Sequence, residues 1–413
     1  MAARTGRVIV LLSCAAVLGC DRGDSAPGNA VASVVAPAKS APPAPSAPTN
    51  SDPPASTRAQ ESPSSVQSDE LVVVAGGDVN LGRELGQLII KEPRLADPFA
   101  SVRPILDSAD LTLVNLECQL SDQGGETQSP LNRLVFTGPP GGADLLARSG
   151  IDLVSLANNH MWDYGKKALM ETFDHLDRAK VAYVGASRER DRMYEPTIIE
   201  RNGWSIAVFA VTHIWNQGTI KTHEGRFHVA WARYDILHKK LAKARREHDV
   251  VLFSYHGGSE YIPMPLEYTK EFIRPVMRSG VDALIGHHPH VPQGVGWYDG
   301  RPIFYSLGNL VFRMHSDYPE TGTSFLARLT FSKGQGLTKV EACPYYLHFE
   351  NPVLFSGETQ TAREASIRGH LRRISLYVGG THVGEPGEYS CMELGPPTKE
   401  EKAVRVRQPA AAD

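Results

Sequence analysis

Between residues 71 and 310 the sequence repeats one arrangement: a short apolar run that stops at side chains able to bind a metal ion. Residues 71–75 lead into Gly77-Asp78-Val79-Asn80, residues 111–115 into Leu116-Glu117, and residues 152–156 into Ala157-Asn158-Asn159-His160. Residues 249–254 lead into Tyr255-His256-Gly257-Gly258-Ser259-Glu260-Tyr261, residues 281–285 into Gly286-His287-His288-Pro289-His290, and residues 302–307 into Gly308-Asn309. Apolar runs of about five residues flanked by turn formers read as buried strands. Helical patterns alternate with them, for example Leu169, Phe173 and Leu176 at spacings of four and three. The prediction is an α/β fold with buried sheets, in which the ends of the strands carry the chemistry.

Taken singly, these residues have ordinary explanations. Asp78 alone reads as a cap for a helix starting near Arg83, Asn159 as a left-handed turn residue, and one histidine as part of a solvated turn. The recurrence overrides those readings. Carboxylate and amide oxygens and neutral imidazoles are suitable ligands for divalent ions, and a His-x-His pair at a strand end aims two nitrogens at one point. Glu117 lies between Leu116, Cys118 and Leu120, an apolar setting in which an unpaired carboxylate is costly. It requires a cation, a donor or a raised pKa.

Outside this region the sequence predicts an exported, tethered protein. Residues 1–20 combine Arg4 and Arg7 with an apolar stretch over residues 8–18, too short to span a bilayer of about 30 Å as a helix, which is the pattern of a signal peptide. Val17-Leu18-Gly19-Cys20 resembles a bacterial lipobox, which implies cleavage before Cys20, its acylation, and a lipid anchor on the bacterial cell membrane. Residues 21–69 are dominated by Pro, Ala and Ser and read as a disordered linker. The ligand-bearing α/β domain is placed at residues 70–355. A helical extension packed on it occupies residues 356–394, with Ile367, Leu371 and Ile374 on one face, and residues 395–413 form a frayed tail. Residues 324–346 alternate β-branched and aromatic side chains and are expected to form antiparallel edge strands.

Composition excludes some functions. Lys and Arg number 43 against 46 Asp and Glu, a net charge of −3 with no basic excess, so nucleic acid is not an expected partner. Five cysteines, at 14, 20, 118, 343 and 391, make no disulfide framework, because Cys14 leaves with the signal and Cys20 is acylated. Among the remaining three one bridge is possible, and the sequence does not say which. There is no Gly-rich nucleotide fingerprint of the P-loop or Rossmann type.

Together, Gly-Asp-Val-Asn at 77–80, Asn-Leu-Glu at 115–117, Ala-Asn-Asn-His at 157–160, Tyr-His-Gly-Gly-Ser-Glu-Tyr at 255–261, Gly-His-His-Pro-His at 286–290 and Tyr-Ser-Leu-Gly-Asn at 305–309 resemble the CapA family of capsule and poly-γ-glutamate synthesis accessory proteins. The resemblance covers about residues 70–355. It implies the fold of calcineurin-like metallophosphoesterases, a four-layer α-β-β-α sandwich with up to two divalent ions, Mn, Fe or Zn, at the strand ends. It also implies ligand roles for Asp78, Asn80, Glu117, Asn159, His256, His288 and His290, with Glu117 bridging and His160 catalytic. His287 is the alternative ligand, and Asn158, Asp163 and Glu260 are expected behind the ligands. The sequence departs from the superfamily pattern at Asn80, where a histidine is usual, and at Glu117, where an aspartate is usual.

Two functions follow from the resemblance. In the first the chain is a metal-dependent hydrolase of the phosphoesterase kind, working in capsule or poly-γ-glutamate biosynthesis. In the second it is a non-catalytic module that binds an anionic polymer or its membrane synthase complex. The four imidazoles of His160, His256, His288 and His290 favour the first; the departures at Asn80 and Glu117 favour the second.

Overall fold

The run Leu71, Val73 and Ala75 is apolar on alternate positions because these side chains face a second sheet, while Val74 faces a layer of helices. The same division holds in the strand Leu111–Leu116, where Leu111 and Leu113 point one way and Val114 and Leu116 the other. In this computed structural model, which describes residues 68–313, 319–399 and 401, the consequence is four layers. The helices Arg83–Lys91, Gly142–Arg148 and Gly165–Ala179 cover the outer face of the first sheet, with Leu85, Leu145, Leu169 and Phe173 in that core. The helices Tyr234–Glu247 and Glu267–Arg278 cover the second, packing Leu237, Leu241, Ile273 and Val276 against Phe209 and Phe253. The expected α-β-β-α sandwich is therefore present.

Among the described residues the first sheet has ten strands, eight of them in the order His382–Pro386, Met392–Gly395, Gly336–His348, Thr323–Ser332, Glu70–Val79, Leu111–Leu116, Leu153–Ser155 and Ala182–Val184. Asn309–Val311 and Asn351–Leu354 pair beside Glu70–Val79 and Gly336–His348. The second runs Val295–Tyr298, Arg301–Phe304, Ala283–His287, Val250–His256, Trp204–Thr212 and Thr197–Arg201. Ladders are parallel from Glu70–Val79 to Ala182–Val184 in the first sheet, and among Trp204–Thr212, Val250–His256, Ala283–His287 and Arg301–Phe304 in the second. Their C-terminal ends thus lie on one side.

Two glycines let these ends approach closely. A Cβ on Gly77 would lie 1.9 Å from the Gly308 carbonyl oxygen, and one on Gly286 would lie 2.0 Å from that of Tyr305. Only glycine fits either position, which explains the Gly before Asp78 and the Gly before the histidines.

Several expectations are corrected. Residues 324–346 do form antiparallel strands, but not edge strands: Thr323–Ser332 lies between Glu70–Val79 and Gly336–His348. Within residues 356–394, read as helical, Gln360–Ser375 is a helix that buries Ile367, Leu371 and Ile374, whereas His382–Pro386 and Met392–Gly395 are strands that extend the first sheet. Alternation over four or five residues is too short to register in a sequence. A disulfide between Cys343 and Cys391 ties this extension to the sheet, and Cys118 is free and buried, its thiol pushed up to about 12 by burial. The signal peptide, Cys20, the linker up to residue 67 and most of the tail lie outside the described residues. Among the described residues no helix is long and apolar enough to cross a membrane.

Candidate metal centre

Asp78 is the penultimate residue of its strand and is fully buried. It caps no helix; the helix Arg83–Lys91 begins after Gly82, without a side-chain cap. Instead its carboxylate accepts from Asn115 Nδ2 at 2.8 Å and from the His288 backbone N–H at 3.1 Å, so three strand ends meet at one group. Glu117, one residue beyond Leu111–Leu116, is equally buried, and among the described residues its Oε1 has no hydrogen-bond partner. That oxygen lies 3.7 Å from His256 Nε2 and 3.9 Å from the Nε2 atoms of both His290 and His160.

Two groups of buried ligand atoms result, each with members within 4.8 Å of one another: Glu117, His256 and His288, and Asp78, Glu117 and His290. Glu117 belongs to both. Asn159 joins the first, its Oδ1 standing 2.7 Å from His256 Nε2. His290 is set by Asn309, whose Oδ1 lies 2.8 Å from its Nδ1. His288 and His290 have φ of +97° and +58°, backbone that few residues other than glycine adopt and that tends to occur where function demands it.

A pair of divalent ions fits this set. Glu117 Oε1 and His288 Nδ1 are buried without partners, which is unusual unless something absent satisfies them. The electrostatics agree. Burial pushes Asp78 up to about 7 against the pull of its hydrogen bonds, and burial together with Asp78 and Glu260 pushes Glu117 well above the usual carboxylate range. Burial and the neighbouring imidazoles hold His256 and His288 well below the ordinary value, while burial lowers His287 to about 3 and His290 to about 4. Bound cations invert this balance by stabilising ionised carboxylates against neutral imidazoles.

These shifts make the pH dependence of the metal-free protein predictable. Four imidazoles stay neutral in the folded chain where the unfolded chain protonates them near 6.5, so stability falls as pH drops below about 6.5. Asp78 and Glu117 act oppositely: folded, they keep protons that the unfolded chain releases near 3.8 and 4.5, so their contribution falls as pH rises through about 7. The imidazoles outnumber the carboxyls below 6.5 and only the carboxyls titrate above it. The centre therefore favours a stability maximum near pH 6.5 without metal, and saturating Mn(II), which binds the deprotonated ligands, moves it upward. Thermal melts from pH 5 to 8, with chelator and with Mn(II), check this; a chelated protein whose melting temperature climbs steadily to pH 8 would contradict it.

The remaining predicted residues are placed as follows. His160 stacks on Phe136 with centroids 4.2 Å apart, and its Nδ1 lies 2.7 Å from Asp163 Oδ2, leaving Nε2 toward Glu117. Asp163 is the expected orienting group. Asn158 braces the site, donating to Asn115 Oδ1 and the Leu116 carbonyl and accepting from the His160 N–H. His287 is buried and belongs to neither group; its Nδ1 lies 3.5 Å from Asp78 Oδ1, and among the described residues neither ring nitrogen has a hydrogen-bond partner. Asn80 uses its Oδ1 to accept from the Gly82 N–H at 2.8 Å, a local turn bond. Glu260 is exposed and, among the described residues, hydrogen-bonds to no imidazole of the cluster; it acts only as a nearby charge.

Other participants carried no assigned role in the sequence. Asn115 bridges Asp78, Glu117 and His256 from a position that looks like the end of an apolar run. The Asn216 side-chain nitrogen lies 3.4 Å from His160 Nδ1, whose proton goes to Asp163, and its Oδ1 accepts from Asn159 Nδ2 at 2.9 Å; Gln217 donates to Asp163 Oδ1 at 3.2 Å. Both follow the strand Trp204–Thr212 by four and five residues, but as amides in a connecting loop they carry no pattern that marks them as partners of His160 and Asp163.

The sequence profile described as "Bacterial capsule synthesis protein PGA_cap" matches residues 72–314, more than half of the chain and every residue of this centre. The chain belongs to that capsule synthesis family. Among the family's relatives, "Capsule biosynthesis protein CapA" of Bacillus anthracis is 29% identical over 252 residues, covering 60% of this chain and 61% of that protein. "PGA biosynthesis protein CapA" of Bacillus subtilis (strain 168) is 27% identical over 279 residues, covering 67% and 72%. This chain thus spans under two thirds of the length of the Bacillus anthracis protein. Among solved structures, a hypothetical protein from Thermus thermophilus is similar at a TM-score of 0.42 and 18% identity, over 67% of this chain and 99% of that one. A putative 5'-nucleotidase from Staphylococcus aureus is similar at 0.43 and 15%, over 73% and 59%.

Proposed function

We propose that this chain is a metal-dependent hydrolase of the phosphoesterase kind that works on capsule or poly-γ-glutamate synthesis at the cell envelope. The supporting observation is that one buried carboxylate, Glu117, is common to two ligand groups, with the His160 imidazole facing it. Asp78, Glu117 and His290 would hold one ion, and Glu117, Asn159, His256 and His288 the other. Divalent ions held there supply Lewis acidity and lower the pKa of bound water to about 7. The protein's own groups then finish the chemistry. Asp163 fixes the His160 ring through Nδ1, so Nε2 presents a proton to the oxygen that leaves. Phe136 and Phe312, packed on His160 and His290, keep water from the rings.

The exported and anchored arrangement rests on the sequence pattern alone: acylated Cys20 on the membrane and a linker of 49 residues to position 69. An anchor at Cys20 would hold the domain near nascent polymer or its membrane synthase complex. The second reading, a non-catalytic module binding that polymer or complex, is favoured by one observation. Asn80 stands where a histidine ligand is usual, and its oxygen is engaged by Gly82.

The test uses the purified full chain, chelated and then reloaded with Mn(II), assayed on a bis-aryl phosphodiester and on γ-glutamyl polymer. Hydrolysis that appears on reloading is the expected result. Retained ions without turnover of either substrate would favour the binding module, and failure to retain any ion would overturn the metal-dependent reading.

A further inference from the structure

Arg83 is a cation at the mouth of this centre that the metal chemistry does not use. It begins the helix Arg83–Lys91 with a φ of +55°, a conformation strained for a side chain of this size. The turn before it is held by Asn80, which accepts from the Gly82 N–H, and by the Arg83 N–H, which donates to the Thr127 carbonyl at 2.9 Å. Gly82 is required there, since an added Cβ would lie 2.9 Å from the Thr137 carbonyl oxygen. Asn80 therefore presents Arg83 from the position where a ligand is usual.

The guanidinium carbon stands 4.7 Å from the Phe136 ring and 5.4 Å from the Phe312 ring. Phe136 stacks on His160 and Phe312 packs 4.7 Å from His290, so Arg83 sits over the two rings that border both ligand groups. Its charge acts on Glu117 and on His290. Among the described residues it forms no ion pair, its Nε is buried without a partner, and Nη1 donates only to the Arg313 carbonyl at 3.1 Å. A partly buried guanidinium with unused donors, held in place by strained backbone and aromatic faces, is shaped for an oxyanion.

We infer that Arg83 is a specificity-determining residue that binds an oxyanion of the substrate, a phosphoryl or carboxylate group, beside the ligand cluster. This inference rests on the reading of the centre given above and deepens it by naming the substrate class as anionic at the reacting end. A neutral ester or amide lacking such a group is excluded.

The test is calorimetric titration of inorganic phosphate, and separately of glutarate, into the full chain as wild type, Arg83→Gln and Arg83→Lys, each with Mn(II) and each chelated. Metal content and melting temperature are recorded for every sample. Arg83→Gln is expected to bind the preferred anion at least about tenfold more weakly at unchanged metal content, as loss of a charge-assisted hydrogen bond implies. Arg83→Lys, which keeps the charge but not the fork, should fall between them. Preference for phosphate identifies a phosphoryl substrate, and preference for glutarate a carboxylate of the polymer. If the chelated protein alone binds anion, and does so through Arg83, the inference stands while the metal reading fails. Anion affinity that both variants share with the wild type, or no binding of either anion to any form, overturns the inference.

Discussion

Replacing Glu117 with Gln is expected to empty both halves of the centre at once. The substitution keeps shape and hydrogen-bonding capacity but removes the one charge common to both ligand groups, whose Oε1 has no hydrogen-bond partner among the described residues. His256→Ala or His290→Ala, by contrast, each touch a single group. Loss of an orienting partner behind a ligand typically weakens metal binding about 10- to 100-fold, so loss of a shared charged ligand should cost about 100-fold or more at each position. The effect is separable from misfolding. Burial pushes Glu117 well above the usual carboxylate range in the metal-free chain, so the neutral amide leaves the chelated protein at pH 8 at least as stable as the wild type. Native mass spectrometry with chelated melts reads both quantities; a variant that retains one tightly held ion would show that Glu117 is not shared.

His160→Ala is expected to leave the ions in place and remove turnover. His160 belongs to neither ligand group, but its Nε2 lies 3.9 Å from Glu117 Oε1 and its other nitrogen is bound by Asp163. General acid catalysis is worth about 10²- to 10⁴-fold, and the loss should scale with how poor the leaving group is. An alkyl phosphodiester should show the full loss and an aryl one much less, since a phenolate departs without a proton. Asp163→Asn should give a smaller loss, because the ring then loses the carboxylate that orients it through Nδ1. Equal losses with both leaving groups, at unchanged metal content, would place His160 outside the proton-transfer step.

Much of the fold and most of this centre can be read from the sequence because both depend on short-range signals. A buried parallel strand must be apolar on both faces, so Val73 and Val74 both announce it, although one faces a sheet and the other helices. A ligand at the end of such a strand stands out against that background, as Asp78, Glu117 and His256 do. What escaped depends on contacts between distant residues. Asn115 looks like the last residue of a strand until Asp78 and His256 are brought beside it. Asn216 and Gln217 reach His160 and Asp163 from a loop more than fifty residues away, which no local pattern records. Asp78 as a helix cap failed for the same reason: its nearest neighbour in sequence is a helix, but its partner in space is the His288 N–H. The C-terminal strands were hidden by brevity, four and five residues carrying only Val383, Met392 and Leu394 into the core.

The most direct test of the whole account is the number of ions retained by the full chain after loading with Mn(II) and exhaustive dialysis, counted by elemental mass spectrometry against protein concentration. A centre in which Glu117 serves two ions gives a value approaching two per chain, falling toward zero in Glu117→Gln. A wild-type chain that retains essentially none, while melting as a folded protein, would contradict it.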